Sequence, residues 1–147
     1  KRRYSLMLPL RHLRFWRIAG VVLLCLVLVF ALMPAVWLWN DRGGALAWFR
    51  NADKLLHATT FLLLAVWFSG QYRRPSYLRV AAGLILFGLL IEFCQYLVGY
   101  RQADFFDVTA NFAGIVTGFA IAIAGLGGWS QRLEDWYASR RPGSGVG

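Results

Sequence analysis

Ile18 to Trp39 reads IAGVVLLCLVLVFALMPAVWLW and contains no charged residue. At about 1.5 Å of rise per helical residue, a run of this length covers a bilayer core of about 30 Å. It is too long for the apolar region of a signal peptide, and Ala31 to Trp39 offers no convincing cleavage site ahead of a soluble domain. Pro34, near its far end, predicts a kink, and Trp37 and Trp39 suit the aromatic belt of a membrane interface.

The rest of the chain repeats the pattern. Upstream, residues 1–17 hold Lys1, Arg2, Arg3, Arg11, Arg14 and Arg17 interleaved with leucines, Phe15 and Trp16, which reads as a basic interfacial segment. Downstream, a polar loop at 40–54 carries a short interfacial helix around Ala45–Phe49. Leu55 to Gln71 forms the weakest span, acceptable if its helix starts near Asp53 with the first turn facing protein. Leu78 to Tyr100 and Val108 to Trp129 are the third and fourth spans. The expected architecture is all-α: a polytopic membrane protein with about four transmembrane helices in one bundle over 18–129. Residues 130–147 are expected to form a partly disordered cytoplasmic tail with a flexible Gly143–Gly147 end.

Composition agrees. The chain has 147 residues, 59% of them hydrophobic, with a mean hydropathy of +0.51. Charged residues make up 16%, against about 25% in ordinary soluble domains. The net charge of +9 comes in short clusters between apolar runs, which excludes a nucleic-acid-binding face and marks topology instead. Twelve basic residues fall on the side of the termini and of Arg73, Arg74 and Arg79. Four (Arg42, Arg50, Lys54 and Arg101) fall on the other. Both termini are therefore expected in the cytoplasm of a bacterial inner membrane, with the 40–54 and 101–107 loops outside. Cys25 and Cys94 fall at different depths and are expected as free thiols.

That topology gathers the ionisable groups at the outer end. Lys54 and His57 open the second span, Glu92 and Gln95 close the third, and Arg101, Asp104 and Asp107 lie in the outer connection. Asn111 is one turn into the fourth span. Glu92 lies eight residues before Tyr100, so roughly 12 Å in from that end and short of the midplane. Asp107, Asn111, Gly114, Gly118 and Gly125 fall within about 60° of one another on an ideal helix. Gly114 and Gly118 form a GxxxG face suited to close helix contact and offer a homo-oligomer surface. An ionised residue in a span costs at least about 2.5–3.5 kcal/mol, so Glu92 marks a functional site by default.

The ordered set Asp53-Lys54-x-x-His57, Glu92-x-x-Gln95, Arg101, Asp104-x-x-Asp107 and Asn111-x-x-Gly114-x-x-x-Gly118 resembles the VanZ-like family over 53–118. The resemblance implies a link to low-level teicoplanin resistance. It also implies a role among enzymes proposed to act on lipid headgroups or lipid-linked cell-wall precursors.

Each residue carries a functional and a plain reading. His57 is a candidate base or nucleophile, or a histidine bonded to Asp53 or Glu92. Glu92 is an acid, base or orienting group, or a packed ion pair. Asp107 is catalytic or an N-cap of the fourth span. Lys54 and Arg101 would hold a phosphate, or Arg101 would pair with Asp104. Gln95 and Asn111 would bind substrate or stitch helices. No resident cofactor is expected, although His57, Glu92, Asp104 and Asp107 could hold a divalent cation.

The leading expectation is a membrane-embedded enzyme on a lipid headgroup or polyprenyl-phosphate precursor at the outer leaflet, by phosphotransfer or phosphodiester exchange. The alternative is a non-catalytic lipid- or partner-binding protein that shields cell-wall precursors. A purely structural network would leave no room for a ligand.

Overall fold

The computed structural model describes residues 6–33, 46–98 and 105–140, and side chains of the second segment from Ala52 onward. The kink at Pro34, Trp37, Trp39, the start of the 40–54 loop, Arg101, Asp104 and the Gly143–Gly147 tail lie outside the described residues.

Helix α1 covers Leu13–Leu32, beginning within the expected basic segment. It ends where Met33 turns extended (ψ 132°), as expected of a residue whose successor is the ring of Pro34. Helix α2 covers Leu46–Ser69 without interruption, so the short helix expected near Ala45–Phe49 supplies its first turns. A 3-10 turn at Arg74–Ser76, with Pro75 inside it, leads into α3 at Tyr77–Val98. Helix α4 covers Phe105–Ile121 and continues through a π-helical turn at Ala122–Leu126, closed by the Gly127 N–H donating to the Ala122 carbonyl at 2.7 Å. Gly128 (φ 74°) takes the left-handed conformation that glycine adopts without penalty. Helix α5, Trp129–Arg140, follows, so the expected tail is helical up to Arg140.

The four long helices alternate in direction. At one end the chain N-terminal to α1 pairs with the α2–α3 turn: the Leu8 N–H donates to the Gln71 carbonyl at 2.9 Å, and the Arg73 N–H to the Leu6 carbonyl at 3.1 Å. The Gly128 N–H reaches the Ser69 carbonyl there too, at 3.0 Å. At the other end the Gln95 side-chain amide donates to the Ala31 carbonyl, and His57 meets Asn111. We call the first the basic end and the second the polar end.

Phe61, Leu64 and Ala65 of α2, Leu84 and Ile91 of α3, and Ile115, Phe119 and Ala122 of α4 make one buried core. The closest contact is α2 against α4. A Cβ on Gly114 would overlap the Ala58 carbonyl, and one on Gly118 would lie 2.6 Å from the Leu62 carbonyl oxygen. The glycine face expected to offer self-association is therefore taken up within the chain. The outward surface stays apolar all round: Ile18, Leu55, Leu78, Leu86, Phe112 and Val116 are all exposed. Three stretches, Leu13–Ala31, Arg74–Val98 and the long segment from Phe105, are long and apolar enough to cross a membrane. Helix α2 is not one of them, since its first half carries Asp53, Lys54 and His57.

Candidate functional site

The polar end is built by three helices meeting in register. Gly88 of α3 lies where a Cβ would come within 3.0 Å of Asn111 Nδ2 on α4 and 3.2 Å of the Phe61 ring on α2. One turn outward from each of these residues, at i±4, come Glu92, Asp107 and His57. Three ionisable groups from three helices thus share one level. All three are buried, with His57 8%, Glu92 6% and Asp107 3% exposed.

His57 Nδ1 lies 3.0 Å from Asn111 Oδ1. An amide oxygen only accepts, so Nδ1 carries the proton in this contact and the ring lone pair sits on Nε2. Nε2 is 4.0 Å from Asp107 Oδ2, too long for a hydrogen bond, and the contact becomes attractive only once the ring takes a second proton. The Lys54 ammonium stands 3.5 Å from Asp107 Oδ1 and 5.5 Å over the Phe106 ring. Asp107 is the third residue of α4, inside its first turn. Its side chain turns to Lys54 and His57 and helps hold both.

Asp53, one turn before His57, completes the group. One ligand atom each from Asp53, His57 and Asp107 lies within 4.8 Å of the others. Two oxygens and an imidazole suit a hard divalent cation, but the Lys54 ammonium already stands beside Asp107.

Two polar atoms here have no hydrogen-bond partner among the described residues: Asn111 Nδ2 and Gln95 Oε1. The network is not self-satisfied, and a groove of about 240 Å³ between α3 and α4 opens beside Asn111, lined by Gly88, Leu89, Val108 and Phe112. Of the cluster, only Asn111 lines this groove; His57, Lys54, Glu92 and Asp107 do not.

A protein-family model described as VanZ/LLP1 matches residues 9–126. The chain belongs to the VanZ/LLP1 family. The match runs well beyond the 53–118 motif region and takes in α1 and the whole of α4. No curated protein and no solved structure matches the chain.

Of the residues read from sequence, this VanZ/LLP1 chain links Lys54 to Asp107, Asp107 to His57 and His57 to Asn111, and sets Glu92 at their level. Gln95 points elsewhere: its Nε2 donates at 2.9 Å to the carbonyl of Ala31, in the last turn of α1, where helix carbonyls lack an internal partner. It ties α3 to α1. Asp53, read from the sequence as a motif residue and as an i−4 partner of His57, joins the cluster.

A third buried carboxylate, at the basic end, escaped the sequence reading. Glu134 of α5 accepts from the backbone N–H of Arg11 (2.6 Å) and of His12 (3.0 Å) and from the Trp16 indole N–H (2.9 Å). Burial pushes its carboxyl up, but these donors together with the His12 ring outweigh burial and hold it below the ordinary 4.5. Trp16, Trp67 and Trp129 pack together at 5.4–5.8 Å, Trp129 edge to face with the other two and Trp16 tilted against Trp67.

Proposed function

We propose that this VanZ/LLP1 protein crosses the bacterial inner membrane four times, with both termini cytoplasmic, and acts at the outer leaflet on the phosphate headgroup of a lipid or lipid-linked cell-envelope precursor. Two things support four crossings: α2 runs the same course as its neighbours, and its Lys54 and His57 meet Asp107 and Asn111 of α4. Orientation rests on the excess of basic residues at the basic end. The family's broad link to glycopeptide resistance fits a substrate of the cell envelope.

One observation carries the chemical reading. A buried imidazole is held by Asn111 with its Nε2 lone pair on the side of Asp107 and beside a lysine. In that tautomer Nε2 takes the proton of an attacking headgroup hydroxyl as its oxygen bonds to phosphorus. The ester bond to the departing alcohol breaks, and the departing oxygen takes the proton back from the imidazolium. Asp107 stabilises the imidazolium between the two steps. Lys54 offers its charge to a phosphate oxygen, and the Asn111 amide N–H donates to another. Glu92 supports the imidazolium from α3. A divalent cation at Asp53, His57 and Asp107 would have to displace the Lys54 ammonium.

The second reading, a binder that shields precursors without turning them over, is favoured by the Lys54–Asp107 pairing, which spends both charges on each other. The deciding experiment reconstitutes the full chain with native lipids and headgroup alcohols and follows lipid products by mass spectrometry. New phospholipids from wild type, absent with His57→Ala and cut at least tenfold with Glu92→Gln while lipid retention holds, support the enzyme. Equal lipid retention with no product from any form supports the binder.

A further inference from the structure

The basic end, remote from His57, holds two grooves on either side of one wall. The wall is Leu6, Leu24, Phe68 and Tyr72, which line both. The larger groove, about 620 Å³, continues between α1 and α2 past Gly20 and Val21 and carries Arg17 and Gln71. The smaller, about 310 Å³, runs along α3 past Val80 and Gly83 and carries Arg79 and Ser76. Gln71 is 1% exposed, and its amide nitrogen has no partner among the described residues. A buried donor left unmet costs about 1–3 kcal/mol, which an acceptor brought into the groove would recover.

Two apolar channels sharing a ridge, each with an arginine in its lining and with a buried amide donor in the larger, match one kind of occupant. We propose that this is a binding site for a two-chain anionic phospholipid of the leaflet at the basic end. One acyl chain lies in each groove across the Phe68–Tyr72 ridge. The phosphate lies between Arg17 and Arg79, and an ester carbonyl or phosphate oxygen accepts from Gln71. Basic pockets between membrane helices recognise anionic headgroups in this way. The site depends on the membrane placement of the chain and is independent of any chemistry at His57.

The test is native mass spectrometry of the purified full chain titrated with dioleoyl phosphatidylglycerol, dioleoyl phosphatidylcholine or one-chain lysophosphatidylglycerol. Wild type should retain one phosphatidylglycerol at least tenfold better than phosphatidylcholine and several-fold better than the lyso form. Arg17→Gln with Arg79→Gln should erase the headgroup preference. Leu24→Trp should block both grooves. Gln71→Leu, which keeps the backbone bonds of that residue, should weaken retention at least threefold. Arg140→Gln, whose guanidinium stacks on Trp136 away from the grooves, should change nothing. Circular dichroism melts establish which variants are folded, and if Leu24→Trp is not, the arginine pair and Gln71→Leu decide. Equal retention of the three lipids by wild type, or undiminished phosphatidylglycerol on the folded variants, would overturn the proposal.

Discussion

His57 is positioned by an amide rather than by a carboxylate: Asn111 sets which ring nitrogen keeps its proton, and Asp107 stands back at 4.0 Å. Asn111→Leu keeps the volume but strands a buried N–H, at a cost of about 1–3 kcal/mol, and frees the ring to turn. Product formation should fall at least tenfold and by more than lipid retention does, measured by lipid mass spectrometry beside a thermal melt; unchanged turnover would remove Asn111 from the mechanism. Glu134 allows a pH prediction of known sign. A carboxyl depressed in the folded state stabilises fully above its unfolded value of 4.5 and loses that contribution as the pH falls below it towards the folded value. Acidification below pH 4.5 should therefore loosen the chain around Arg11 and His12, seen as loss of near-UV signal from the Trp16 cluster. Glu134→Gln should already be loosened at neutral pH and show no such acid step. Motif order exposed the His57 cluster in the sequence because charge inside an apolar run is conspicuous. Glu134 stayed hidden because a carboxylate in a mixed-charge stretch looks solvated, and its donors, two backbone N–H groups and an indole, lie far off in sequence.

At the scale of elements, helix identity was legible and helix ends were not. Apolar length announces a span, but α1 starts at Leu13 because Trp16 packs inward, a tertiary effect with no local signal. Its C-terminal end falls at Leu32, with Met33 extended before Pro34, where the sequence suggested a kink within a longer span. Helix α2 was the weakest expectation because its Lys54 and His57 are matched by Asp107 and Asn111 of α4, partners far off in sequence. The GxxxG spacing correctly marked a close-contact face but could not name the partner helix, which is α2 of the same chain. That contact makes two glycines behave oppositely. Gly114→Val pushes a side chain into the Ala58 carbonyl, which the α2 backbone cannot withdraw, and should destabilise by about 1–3 kcal/mol or more. Gly83→Ala meets nothing within 4 Å and should be neutral or gain up to about 1 kcal/mol from helix propensity. Thermal unfolding in detergent separates the two; equal melting points would mean that α2 and α4 do not pack through Gly114.

For the whole molecule, the deciding question is whether α2 crosses. Hydropathy alone yields three crossings, and three crossings have a geometric consequence: the α2–α3 turn and the N-terminal segment would lie on opposite faces of the membrane. The backbone bonds from Leu8 to Gln71 and from Arg73 to Leu6 join those two segments directly. Only a returning α2 puts them on one face, and the cost of its polar residues is met by Asp107 and Asn111 across the α2–α4 contact. Single cysteines in a background lacking Cys25 and Cys94 test this in intact cells with a membrane-impermeant maleimide. Phe105→Cys, at the exposed start of α4, should label from outside. Arg74→Cys and Ser139→Cys should label only after the membrane is opened. An α2 that does not cross, with the N-terminus inside, would reverse all three, labelling Arg74→Cys and Ser139→Cys from outside and protecting Phe105→Cys. The same labels fix the sidedness of His57, because its level on α2 is tied to the first turns of α4 through Asn111 and Asp107. A labelled Phe105→Cys therefore puts the proposed chemistry at the outer leaflet.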